Sequence, residues 1–545
     1  MRRRPADGEL PLALPARDAG SCYFKRVVLA EEDAVLPIAD LGLLAESAAE
    51  HHGDTPLCAD TPWVSACRAP DDVSDFAAVV ADYADRLWGA GVRPGAVVAL
   101  VKSNHLDIQA IQCAVVRVGA LPALLSVAME PPDLLRCLRE LQRPHLVTDT
   151  EGAAVLRPGQ QQLGEIVTRV LTLTPDAELP GAVELNEPAA HRVTRRPGTD
   201  PTLITHSSGT TGTPKLLVHT VDSLYAHVAP QMRVVRSLDY TGISAKCLSF
   251  VHVRMSTGLL TALNTGVPFL GISSPDPASV RAALLRYRPE TLEAQPNMFL
   301  RWEPLARETP NPFTTVERYI SSFDAIHPRT LRTLLEASER PNPTFIQAYG
   351  QTETGPVTLL MTTRADLREP GRPHSRDVGA AFPGMEVRVV DDAGAELPAG
   401  TPGNIEVRTP ARAESMIGRP PLPGRDAWWP MHDVGALRPD GHLELYDRRV
   451  DRVPGVPSTL RAEDVLLDEL PELAEVVIVA VGGTVTAVAA TADGKPVDED
   501  RWRSARAKAG LPEGTRVEHR PWEEFPLTGT MKVRRHRLLP HEARG

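Results

Sequence analysis

The sequence predicts an α/β fold in two parts, a large N-terminal domain of mixed α/β subdomains ending in a β-rich subdomain, and a small C-terminal α+β domain. Three observations carry this. Helical periods alternate with short apolar runs through most of the chain, the pattern of covered, largely parallel sheets. Between Met385 and Pro410 the rhythm becomes two strands joined by a Gly/Pro loop. After Arg448 the pattern restarts for roughly a hundred residues, enough for a separate domain. The full length of 545 residues also exceeds a single unit of ~100–200 residues.

In chain order, MRRRPADGELPLALPA opens basic, but Asp7 and Glu9 follow, and Pro11 and Pro15 break its only apolar patch. A frayed tail is expected there, not a signal peptide. Phe76 to Leu87 places apolar residues at helical spacing, GAGVRPG interrupts it, and Val97 to Val101 reads as a buried strand. A second helix-like apolar stretch, IQAIQCAVVRVGALPALL, follows. Beyond Arg448 come a helix around Ala462 to Leu470, strands EVVIVAVG and TVTAVAAT, a helix around Asp498 to Ala509, and a final strand and helix. Charge and proline cluster in DRRVDRVPGVPS, which places the boundary there. The domains are therefore 1–447, with the β-rich subdomain at about 375–447, and 448–545.

Composition narrows the function. Basic and acidic residues number 59 and 70, a net charge of −11, which leaves no footprint for wrapping nucleic acid or coating an anionic membrane. No run approaches the ~20 apolar residues of a bilayer span. The cysteines, Cys22, Cys58, Cys67, Cys113, Cys137 and Cys247, form no CxxC pair and no zinc spacing, so reduced thiols in a cytoplasmic protein are expected.

The sharpest local feature is THSSGTTGTPK, Thr205 to Lys215, preceded by apolar TLI. Hydroxyls at Thr205, Ser207, Ser208, Thr210, Thr211 and Thr213 surround Gly209 and Gly212, whose missing side chains let backbone N–H groups approach a polyanion, and Lys215 adds a cation. The spacing is not GxxxxGK[ST], so that loop's mechanism does not transfer. A polar surface loop is the bland alternative; the flanking apolar strand and the LLV run after Pro-Lys weigh against it. A second feature, FIQAYGQTETGPV, sets Tyr349, Gly350, Thr352 and Glu353 at the end of a short apolar strand. An aromatic ring, a glycine, a hydroxyl and a carboxylate can together stack a base and hold a divalent cation.

These two motifs, in this order, resemble the adenylate-forming superfamily of acyl-CoA synthetases, peptide-synthetase adenylation domains and luciferases. The resemblance runs from about Phe76 to Pro540. It includes ADRLWGAGVRPGAVVALVKSN as the opening helix and strand, and VGAAFPGMEVRVVDDAGAELPAGTPGNIEVRTP as the β-rich subdomain. It implies ATP and Mg2+ as cofactors and a C-terminal domain that is mobile about its hinge. Thr205, Ser207, Ser208, Gly209, Thr210, Thr211, Gly212 and Lys215 then form the phosphate loop. Tyr349 and Gly350 border adenine, Thr352 meets the α-phosphate, and Glu353 holds the magnesium ion. In MHDVGALRPDGHLELYDRR, Asp433 matches the aspartate that accepts both ribose hydroxyls, and Arg448 its arginine partner. In FPLTGTMKVRRHRLLP, Lys532 matches the lysine that drives adenylation, while Arg534, Arg535 and Arg537 read as a solvated basic helix. His252 falls at the substrate pocket, and Arg254 beside it suits a polar or acidic substrate.

The family reaction is attack of a carboxylate oxygen on the α-phosphorus of ATP, with loss of pyrophosphate. The leading expectation is adenylation of a small or medium carboxylic acid and transfer to coenzyme A. Alternatives are a carrier-protein thiol, an amine, nitrite-dependent diazotisation or β-lactone closure, and a non-catalytic nucleotide or adenylate binder. The chain departs from the family pattern at Val450, Pro454, Pro457 and Met531, at Leu216 and Asn404, and at FDAIH, Phe323 to His327, in place of a glycine-rich turn. Proline fixes φ and removes a donor, so the surface expected to meet coenzyme A should be stiff. Adenylation is expected to survive these changes better than transfer.

Overall fold

The computed structural model describes residues 39–63, 69–207, 214–368, 375–528 and 532–538. It is a mixed α/β structure with three sheets. In the eight-stranded sheet, Val97–Lys102, Leu121–Ser126, His145–Thr148 and Arg169–Thr172 pair in parallel. Pro201–His206 joins beside Leu121–Ser126 and then turns back antiparallel onto Leu216–Thr220. The motif Thr205 to Lys215 therefore links two strands that pair antiparallel.

The second apolar stretch behaves differently from its uniform helical reading. The helix Asp107–Arg117 stops, Gly119 takes φ +80°, and Leu121–Ser126 continues as a strand. Glycine alone adopts that backbone conformation without strain, so the chain can reverse there and re-enter the sheet.

The twelve-stranded sheet begins with parallel strands, among them Ser244–Cys247, Thr291–Ala294, Arg318–Ser321 and Thr344–Gln351. It becomes antiparallel at the hairpin of Thr344–Gln351 with Gly355–Thr363. Asp377–Ala381, His442–Arg448, Trp429–Leu437, Gly403–Arg408 and Glu386–Val390 extend the same sheet. The β-rich segment is thus the antiparallel half of a sheet whose other half is parallel. Under the parallel half, Tyr319 and Phe345 stack with ring centroids 6.0 Å apart, and Phe299 meets both edge-on.

The third sheet pairs Leu473–Val481 with Thr484–Thr491 antiparallel, and the latter with Arg516–His519 in parallel. Helices Thr459–Glu469 and Glu499–Lys508 flank it. Asp447, the penultimate residue of its strand, accepts from the Thr459 N–H at 3.0 Å and so anchors the start of the first of these helices. Across this junction His327 Nδ1 meets Asp464 Oδ1 at 2.8 Å, and Arg329 donates to the carbonyls of Leu467 and Leu473. The basic stretch after Lys532 corrects the sequence expectation of a solvated helix. Arg535–Arg537 is a single 3-10 turn, Arg534 is 6% exposed, and Arg535 donates to both carboxylate oxygens of Glu463 at 2.6 and 2.8 Å. A guanidinium bound bidentately by a buried carboxylate is a tie between elements, which charge counting along the sequence does not show. Among the described residues no helix is long and apolar enough to cross a membrane.

Candidate active site

The hairpin that switches the large sheet from parallel to antiparallel carries the second motif. Gly350 is forced by this geometry, because a Cβ there would sit 2.0 Å from the Gly355 carbonyl oxygen. Tyr349 donates from its hydroxyl to Asp433 Oδ2 at 2.7 Å. Asp433 and Arg448 face each other across adjacent strands, with Arg448 Nε 3.9 Å from Asp433 Oδ1. Burial raises the Asp433 carboxyl above its ordinary range, and the Arg448 charge opposes that shift. Tyr349, Asp433 and Arg448 therefore stand together, and all three line one cavity with Asp324 and Gly350.

Lys215 reaches Glu353, with Nζ 3.9 Å from Oε1. Its backbone N–H donates to Ser207 Oγ at 3.0 Å, and the Ser207 N–H to the Lys215 carbonyl at 2.9 Å, which closes the base of the loop. Thr205 is fully buried, its hydroxyl 2.9 Å from His219 Nε2, so that side chain is engaged in the core beneath the loop. Ser208, Gly209, Thr210, Thr211, Gly212 and Thr213 lie outside the described residues, as does Met531. Among the described residues no group of three or more His, Cys, Asp or Glu side chains could hold a metal ion. The single carboxylate of Glu353 nevertheless suits magnesium, which is commonly held by one or two carboxylates plus substrate phosphates and water.

Lys532 donates from Nζ to the Phe323 carbonyl and lies 5.9 Å from the centroid of that ring. Burial, followed by the Arg448 charge, pushes its ammonium down to about 8, against the pull of Asp324, Asp433 and Glu353. Phe323 has φ +86°, which for a bulky aromatic stores about 1–3 kcal/mol of backbone strain. This is the position where the sequence lacks the glycine-rich turn. The ring packs on His252 with centroids 4.6 Å apart.

His252 caps the helix Val253–Thr265, its Nδ1 accepting the Arg254 N–H at 3.0 Å. With Nδ1 an acceptor, the neutral ring carries its proton on Nε2, which faces Thr352 Oγ1 at 3.4 Å. Burial and the nearby Lys532 charge hold His252 well below its ordinary value, so it serves as a hydrogen-bond donor and not as a cation.

His252, Thr352 and Lys532 line a second cavity of about 160 Å³ with apolar walls that include Val234, Ile346, Leu359 and Phe382. That volume matches the ~150 Å³ that admits one benzene ring. Phe323, Ala348, Gly350, Gln351 and Lys532 line both cavities and mark where they meet. Arg254, expected from the sequence beside His252, lines this second cavity, the substrate cavity, together with Lys246, which the sequence reading missed along with its partner Glu293. Arg254 donates to Glu293 Oε1 and Oε2 at 2.5 and 2.8 Å and also to the Gln231 amide oxygen, and Lys246 donates to Glu293 as well. Lys246 and Glu293 sit inside the apolar runs ISAKCL and TLEA; a charged residue within a short buried strand was the available signal.

A family model described as AMP-binding enzyme matches residues 70–415. The chain is 37% identical over 529 residues to the 3-amino-2-hydroxy-4-methoxybenzoate diazotase of Streptomyces cremeus, covering 91% of this chain and 94% of that one. It is 27% identical to the 3-aminoavenalumate diazotase of a Streptomyces species, over 78% of this chain and 77% of the other. The crystal structure of the anthranilate CoA ligase AuaEII in complex with anthranoyl-AMP superposes with a TM-score of 0.76 at 18% identity, covering 93% of this chain and 97% of that one. At that identity the last match shows a shared fold.

Proposed function

The chain belongs to the AMP-binding enzyme family and is an adenylate-forming enzyme; from that premise we propose that it activates nitrite with ATP and transfers the nitroso group to an aromatic amine, giving a diazonium ion. The observation that carries this reading is the 37% identity, extending over 91% of the chain, to a diazotase. Acyl transfer to coenzyme A, the leading expectation from the sequence, becomes the competing outcome of the test.

The steps balance without an outside oxidant. A nitrite oxygen attacks the α-phosphorus of ATP, the bond to the bridging oxygen breaks, and pyrophosphate leaves. The amine nitrogen attacks the nitroso nitrogen of the resulting nitrosyl adenylate, the N–O bond breaks, AMP leaves, and the amine releases a proton. The nitrosamine tautomerises to a diazohydroxide, which takes up a proton and loses water to give the diazonium ion.

In this reading Lys532, at the junction of the two cavities, offsets the charge that develops on the α-phosphate. The His252 Nε2–H and the Thr352 hydroxyl donate to oxygens of the attacking oxyanion or the α-phosphate. Asp433 accepts the ribose hydroxyls, Tyr349 covers the base, and Ser207 and Lys215 belong to the loop that holds the leaving pyrophosphate. Glu353 would hold magnesium, which when bound neutralises phosphate charge.

Because Lys532 acts as an ammonium, kcat/KM for pyrophosphate release should be flat in acid and fall as pH rises through about 8. The decline approaches about tenfold per pH unit. Bound phosphates favour the charged form, so the kcat limb should lie at higher pH. A kcat/KM profile that rises through this window would contradict the assignment.

The reading itself is tested by measuring AMP and pyrophosphate formation over a panel of aminoarenes, with and without nitrite, and trapping diazonium by azo coupling. Nitrite-dependent AMP and a coupled dye are expected. Thioester formation from a carboxylic acid and coenzyme A, with no response to nitrite, would overturn it.

A further inference from the structure

We propose that Lys246 and Arg254 form an anion subsite in the substrate cavity, which takes a carboxylate carried on the ring of the aromatic amine and so turns the amine toward Lys532. The inference rests on the diazotisation reading only for which group reacts; the subsite is argued from the residues themselves.

Two cations share one carboxylate. The Glu293 side chain is fully enclosed and Lys246 is nearly so, and among the described residues no second carboxylate is paired with these two cations, which leaves one positive charge over. A buried charge without a partner is costly, and a carboxylate from the ligand would complete the set. The arrangement is built in. Lys246 and Glu293 are register partners on adjacent parallel strands. Arg254 stands in the first turn of the helix Val253–Thr265. One turn on, Gly258 clears the lysine stem, since a Cβ there would lie 2.6 Å from Lys246 Cε. Burial pushes Lys246 down to about 8 even beside Glu293, so the present carboxylate does not by itself hold this ammonium at its ordinary value.

A second observation points to a ligand independently. Tyr240 lines the same cavity, and its buried hydroxyl has no hydrogen-bond partner among the described residues. A carboxylate oxygen would satisfy it. Position gives the orientation. Lys246, Arg254 and Tyr240 line the substrate cavity and not the nucleotide cavity, whereas Lys532 lines both. The subsite is therefore set back from the reacting end, in a cavity whose volume admits a single ring.

The test is calorimetric titration of the full-length, AMP-loaded enzyme, without nitrite, with the three aminobenzoate isomers and their carboxamides. At least one acid should bind about tenfold or more tightly than its amide. That preference should shrink to within about twofold in Lys246→Met and Arg254→Met and persist in Lys532→Ala. Equal affinity for every acid and amide in the wild-type protein would overturn the proposal without any variant. So would a preference that survives Lys246→Met and Arg254→Met. A preference lost only in Lys532→Ala also overturns it, placing the carboxylate at the reacting end as an acyl adenylate requires. If instead the acid preference depends on Lys246 while nitrite fails to elicit AMP, the subsite stands and the nitrite reading alone falls.

Discussion

Lys532→Ala should lower pyrophosphate release by about two to three orders of magnitude, the loss typical of one preorganised donor at a charge-developing oxygen. The side chain is held for this role from several directions. Its Nζ donates to the Phe323 carbonyl, on a backbone kept at φ +86°, and it lies where the two cavities meet. Asp324, Asp433 and Glu353 favour its charge against burial and Arg448. Nucleotide affinity should change far less than the rate, because Asp433, Tyr349 and the phosphate loop remain. Single-turnover AMP formation measures the first and equilibrium nucleotide titration the second. A loss smaller than about tenfold would remove Lys532 from the chemical step.

Glu293→Gln should be the most destabilising single change at the site. Glutamine keeps the shape and removes the carboxylate that, among the described residues, is bonded to both Lys246 and Arg254. Stripping one partner from a buried ion cluster costs about 3–5 kcal/mol, because the remaining charges stay desolvated. The deficit should also depend on pH. Lys246, at about 8 in the intact protein, falls further without Glu293, while in the unfolded chain it returns to its ordinary value near 10.4. Below about 8 the folded variant has lost a proton that folded wild type keeps, so the deficit shrinks as pH rises toward about 8 and changes little above it, where Lys246 is neutral in both folded proteins. Urea unfolding followed by tryptophan fluorescence at two pH values measures this. A variant as stable as wild type at neutral pH would show that Glu293 does not balance these cations.

The parts of the site that lie close along the chain or share a motif were legible. Tyr349, Thr352 and Glu353 come from one hairpin, and Asp433 and Arg448 from paired strands joined by a tight turn, so the resemblance carried them together. Sequence could not show where the hydroxyl of Thr205 is engaged, because its partner His219 lies on the strand that pairs antiparallel with its own. Lys246, Glu293 and Gln231 were missed for a related reason: they meet only when two parallel strands and two helices come into register. Each alone reads as a stray polar residue. The basic stretch after Lys532 misled in the opposite sense. Its charges look solvated along the chain, yet Arg535 closes on Glu463 from a helix more than sixty residues earlier. At the level of fold, the alternation of periods correctly indicated α/β sheets. The continuity of the β-rich segment with the large parallel sheet depended on strand order, which local pattern does not encode.

The most direct measurement is the fate of heavy oxygen from labelled nitrite in a reaction containing ATP and an aminobenzoate. If a nitrite oxygen attacks the α-phosphorus, the AMP released on attack by the amine retains that oxygen on its phosphate, and mass analysis finds labelled AMP. Unlabelled AMP from labelled nitrite, with label entering instead from the carboxylate of the acid, would contradict the account and identify the protein as a carboxylate-activating ligase.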